Sequence, residues 1–189
     1  LAEYAITWTE ELLGQFYFHR RGRGLLNTLH ELGFGEGAGA QAIVVTALGP
    51  LGHIYLPQAL DADTMARYAR NLVDLAGIPL VLYRSPAGGV HAVNRTGSCT
   101  LPEHSATVLG PDHPFPEQAG RDLVRLVDQQ DAGDFVISGW HPTGQPLSFP
   151  QENGAHGGPG RQECHGFLLL PRAVAARGAG IWRPAALRR

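Results

Sequence analysis

The segment Glu152-Asn153-Gly154-Ala155-His156-Gly157-Gly158-Pro159-Gly160 combines a histidine with glycines on both sides. Glycine takes positive φ without steric penalty, so such a loop can bring an imidazole close to a bound ion or anion. Neutral imidazole is a common ligand for zinc and related ions. His156 is therefore the candidate metal ligand of this chain. A glycine-rich surface turn that merely contains a histidine is the competing reading.

Other residues could do chemistry, and each has a plainer reading. Cys164 beside His165 suggests a thiolate nucleophile. Adjacent residues of a strand point to opposite faces, which favours a buried structural cysteine instead. His53 sits among apolar residues at a strand start, as a hydrogen-bonded core histidine would. Gly35-Glu36-Gly37-Ala38-Gly39 lacks the Lys-Ser/Thr ending of a phosphate loop and reads as a linker. Ser138-Gly139 ends a strand, where active-site groups collect in parallel sheets, but no Gly-x-Ser-x-Gly surrounds it. Arg20, Arg21 and Arg23 form a small basic patch that reads as a solvated face.

These residues need elements to position them. Tyr4 to Thr9 alternates and is expected to be a short strand. Leu25, Leu26, Leu29 and Leu32 have helical spacing, with Gly33 as the stop and a Gly/Ala stretch to Ala40. Ala42 to Ala47 is a continuous β-prone run, and His53 to Leu56 follows the turn Gly49-Pro50-Leu51-Gly52. Asp63 is the expected N-cap of a helix from Thr64 to Leu75, with Met65, Tyr68, Leu72 and Leu75 on one face and Gly77 as the stop. Ile78 to Tyr83 predicts a strand, joined through Gly88-Gly89 to Val90–Val93 as a hairpin.

Ser98 to Pro116 is polar and proline-rich and predicts a long connection. Pro116 suits a first helical turn, and Leu123, Val124, Leu126 and Val127 give that helix its apolar stripe, ending at Gly133. Phe135 to Ser138 and Gly166 to Leu170 are expected strands. Between them Gly139 to His165 is the longest stretch without periodicity, as functional loops often are. The alternation of strands and helices predicts an α/β fold: a mostly parallel sheet with helices on both faces. The expected organisation is one α/β domain over residues 1–172, complete or partial, and a basic Ala/Gly-rich tail over residues 173–189.

Composition narrows the function classes. The chain has 189 residues, 43% apolar and 17% charged, which suits a globular domain with a real core. A formal net charge of -2 gives no whole-chain attraction to nucleic acid or to an anionic membrane. The two cysteines, Cys99 and Cys164, form no CxxC pair, so a reducing, cytoplasmic setting is expected. No apolar run approaches the roughly 20 residues of a membrane span. Residues 1–14 include Glu3, Glu10 and Glu11 and lack the basic start of a signal peptide.

The order helix, Gly133-Asp134, apolar strand, polar segment, His156 glycine loop, apolar strand, Pro171 resembles the end of bacterial type I phosphodiesterase and nucleotide-pyrophosphatase-like proteins of the alkaline-phosphatase superfamily. The segments Ile43 to Ala47, His53 to Leu56 and Ile78 to Ser85 extend that resemblance over about residues 42–171. It implies the C-terminal portion of an alkaline-phosphatase-like core. It also implies a metal-dependent phosphoester or phosphodiester hydrolase, a phosphorylated small-molecule substrate, and a divalent metal, zinc foremost, on His156.

The departures from the family pattern are large. Family members hold two metal ions with several Asp and His and carry a Ser or Thr nucleophile. If Leu13-Gly14, Phe18 and Gly22 follow the family's Asp-His-Gly element, the strand before it ends in Trp8-Thr9-Glu10-Glu11, with no Asp-His pair. One histidine does not hold two ions, since each needs several ligands. Glu10, Glu11, His53 and Glu152 are the available substitutes, though no spacing compels them. The catalytic site is thus expected to be incomplete, with a missing N-terminal half or a homo-oligomeric partner supplying the rest. The alternative is a degenerate, non-catalytic relative that acts as a binding or interaction module.

Overall fold

A computed structural model describes residues 43–48, 50–142, 157–164, 166, 167 and 169. The expected strand at Tyr4–Thr9, the helix at Leu25–Leu32, the glycine stretch to Ala40 and the tail 173–189 lie outside the described residues.

The elements run β1 (Val44–Leu48), β2 (Leu51–Tyr55), α1 (Ala62–Asp74), β3 (Leu80–Arg84), β4 (Val90–Asn94), β5 (Gly97–Leu101), α2 (Ser105–Leu109), α3 (Pro116–Val127), β6 (Phe135–Ser138) and α4 (Arg161–Cys164). The strands form one six-stranded sheet in the order β1-β2-β6-β3-β4-β5, and every ladder is antiparallel. The expected mostly parallel sheet, and with it the alkaline-phosphatase-like core, is therefore corrected to a mixed α/β fold on an antiparallel sheet.

The reason lies in β6. Ser138 stands opposite Leu51 on one side and opposite Leu80 on the other, so β6 is antiparallel to both β2 and β3. It follows that β2 and β3, joined through α1, run the same way, as in a parallel crossover unit. The last strand enters between them and converts what would be a parallel pair into two antiparallel ones. Its composition fits a central place: Phe135, Val136, Ile137 and Ser138 are all buried.

Hairpins make the other ladders. The β3–β4 turn uses Gly88 and Gly89 at φ 108° and 77°, a region that L side chains rarely adopt, and closes with Gly88 N donating to Ser85 O. The β4–β5 turn is organised by Asn94. Its Oδ1 accepts from Thr96 N at 2.9 Å, Thr96 Oγ1 at 2.7 Å and Gly97 N at 3.1 Å.

Alternate side chains build two cores. On one face Val45, Ile54, Val81, Tyr83, Phe135 and Ile137 meet Met65, Ala69, Leu72 and Val73 of α1. On the other Leu80, Leu82, Val90, Ala92 and Val136 meet Val108 and Leu109 of α2 and Ala119, Leu123 and Val127 of α3. Each fully buried side chain of this size contributes about 1.5–3 kcal/mol.

Several local expectations change. The α1 N-cap is Asp61, not Asp63: Asp61 Oδ1 accepts from Thr64 N at 2.8 Å. The helix starts two residues earlier and ends one residue earlier than expected, so Leu75 is the C-cap and exposed, while Ala69 and Val73 join Met65 and Leu72 in the core. Ser98–Pro116 is no mere connection, because it holds most of β5 and all of α2. Among the described residues its short polar strand pairs only with β4, at the sheet edge, and it carries no apolar run for a sequence to display. Helix α3 stops at Val127 rather than at Gly133. Gly166, Phe167 and Leu169 lie in no regular element, although a strand was expected there.

Candidate functional site

Described chain resumes at Gly157, and residues 157–164 form a strap over the face that carries α2 and α3. Pro159 and Gly160 are buried, and a Cβ on Gly157 would stand 3.9 Å from Leu51 Cδ1 at the start of β2. Glu163 of α4 folds the strap on itself by accepting from Gly158 N at 2.8 Å.

His113, in the loop between α2 and α3, fastens the strap. It is 7% exposed. Its Nδ1 accepts the Phe115 N–H at 3.1 Å, which leaves the proton on Nε2, and Nε2 lies 2.7 Å from the Pro159 carbonyl oxygen as its donor. The tautomer is set by these partners. Cys164 Sγ lies 3.6 Å from the same Nε2 and 3.5 Å from the same carbonyl oxygen.

A cysteine beside a histidine suggests nucleophilic catalysis, but the electrostatics point the other way. Burial pushes the Cys164 thiol up from its ordinary range, and the negative charges of Glu163 and Asp122 push it further. An activated thiolate needs a positive neighbour or a free base. The Nε2 that faces this sulfur carries its proton and gives it to Pro159. The cluster binds one segment of chain to another. Sequence reasoning missed it because 51 positions separate Cys164 from His113 and no spacing rule connects them.

His53 behaves as its sequence context suggested. On β2, its Nδ1 accepts the Gly133 N–H at 3.1 Å, and burial lowers its pKa below the ordinary 6.5. Beside it Tyr55 Oη donates to Asp131 O at 2.8 Å, and Leu56 N donates to Asp134 Oδ2 at 2.7 Å. Gly133 is pressed against this strand: a Cβ there would come 2.7 Å from Ile54 O and 2.9 Å from Ile54 N. A side chain at position 133 would collide with backbone, so the glycine is needed for close approach rather than for ending α3.

Most of the remaining expected site residues lie outside the described residues. His156, the expected metal ligand, lies outside the described residues, as do Glu10, Glu11, Glu152, His165 and Gly35–Gly39. Ser138 is fully buried, and its Oγ accepts from Trp140 N at 3.2 Å. Among the described residues no group of three His, Cys, Asp or Glu side chains could hold a metal ion. The described donors therefore do not by themselves fit the divalent ion that the family resemblance implied. No described helix is long and apolar enough to cross a membrane. Comparison with protein-family models, curated proteins and solved structures gives no match for this chain.

Proposed function

We propose that this chain is a non-catalytic interaction module, and that its partner is a second copy of itself. The supporting observation is a pair of exposed apolar side chains together with a sheet edge that is open among the described residues. Phe167 and Leu169 are 96% and 88% exposed, and neither lies in a strand. Among the described residues the edge strand β1 pairs with β2 alone, and Val44 is 51% exposed. Unpaired backbone groups on an edge strand are a template for strand addition, and an extended apolar run is what such an edge accepts.

The test is sedimentation of the full chain over a wide concentration range, beside Phe167→Asp and Leu169→Asp. Self-association that either charge abolishes supports the reading. A wild-type chain that stays monomeric throughout sinks it. The competing proposal, a metal-dependent phosphoesterase acting on a phosphorylated small molecule, rests on the His156 loop and is decided by metal content and phosphodiester hydrolysis.

A further inference from the structure

We infer that the connection between α3 and β6 is held to β2 by an acid-released latch: neutral His53 accepts the Gly133 amide, and protonated His53 lets it go. The geometry requires a neutral ring. Nδ1 takes the Gly133 N–H at 3.1 Å, whereas an imidazolium carries a proton on both nitrogens and accepts nothing. Gly133 is buried, and a Cβ on it would stand 2.7 Å from Ile54 O and 3.0 Å from the His53 Cβ, so the connection lies close against the strand. Water reaches the orphaned amide only if the connection lifts off the strand.

The surroundings keep that opening local. Tyr55 Oη on Asp131 O and Leu56 N on Asp134 Oδ2 tie the connection on both sides of Gly133, and neither bond uses the imidazole. Among the described residues the titratable groups about His53 are the Tyr55 phenol on its own strand and the Asp131 and Asp134 carboxylates of the connection. Its cross-strand neighbours, Thr46 on β1 and Val136 on β6, do not titrate.

The direction with pH follows from burial, which holds the folded His53 below 6.5. The unfolded chain then binds the proton more readily than the folded one. The latch's stabilisation is complete above pH 6.5 and is lost as pH falls below it toward the folded value.

The experiment is amide exchange of the full chain by NMR from neutral to mildly acidic pH, alongside the titration of the His53 ring. Protection factors remove the intrinsic pH dependence. Gly133 protection should fall about fivefold, the worth of one ordinary hydrogen bond, in step with the ring. The Ala132 amide, bonded to Gln129 O at 3.0 Å, should hold steady. In His53→Asn, whose oxygen accepts at every pH, the step should vanish. Gly133 protection that stays constant through the ring's titration overturns the inference. So does an equal step in His53→Asn, which would place the titrating group on Asp131 or Asp134.

Discussion

The Nε2 of His113 lies 2.7 Å from the carbonyl oxygen of Pro159, 46 residues further along the chain, and this bond seats the strap 157–164 against α3. Both groups are buried, so removing the imidazole takes one hydrogen bond from the Pro159 carbonyl, which keeps only the long Cys164 Sγ contact at 3.5 Å, and one from the Phe115 N–H. Each lost hydrogen bond costs on the order of 1 kcal/mol. His113→Ala should therefore destabilise the chain and speed proteolytic cleavage within residues 157–164. His113→Gln, whose longer amide reaches toward Pro159, should be cut more slowly than His113→Asn, which reaches only the Phe115 side. Equal cleavage of all three variants and the wild type would show that the bond does not hold the strap.

Gly120 sets the approach of α3 to α2. A Cβ there would come 1.7 Å from Ser105 Oγ and 2.8 Å from Ser105 Cβ. Alanine improves helix propensity by about 1 kcal/mol, but overpacking typically costs about 1–3 kcal/mol. We expect Gly120→Ala to lower the denaturation midpoint, and Gly120→Ala with Ser105→Gly to recover part of the loss. A single variant as stable as wild type would mean that the two helices part without cost.

Cys164 should be a slow thiol. Burial together with Glu163 and Asp122 raises it, so little thiolate exists near neutral pH. Alkylation followed by peptide mapping should be severalfold slower at Cys164 in the folded chain than in denaturant. Glu163→Gln removes a negative charge while keeping an acceptor for Gly158 N, so it should speed the reaction. Faster alkylation in the folded wild type than in denaturant would restore the nucleophile reading.

Metal binding separates the two functional proposals. For an interaction module, the purified chain and His156→Ala should carry the same sub-stoichiometric metal and show no hydrolysis of a phosphodiester. Stoichiometric zinc that disappears in His156→Ala, with turnover, would establish the phosphoesterase instead.

Much of the fold was legible locally. The runs at Val44–Val45, Leu80–Tyr83 and Phe135–Ser138 announce strands through β-branched and aromatic content, and Pro116 marks where α3 begins. Gly88-Gly89 marks its hairpin through backbone freedom. His53 was readable as a hydrogen-bonded histidine from its apolar neighbours, though its acceptance of the Gly133 amide was not.

What the sequence by itself determined was the position of these strands and helices and the alternation of side chains that gives each strand its two faces. Those properties depend on neighbours a few residues away. Only the tertiary structure decided that β6 lies between β2 and β3, because strand order is a pairing of segments roughly 50 to 90 residues apart. That one insertion makes the sheet antiparallel and seats Gly133 against Ile54. Hydrogen bonds across such separations leave no periodic trace in the chain; they exist because the packed sheet and helices bring their partners within reach.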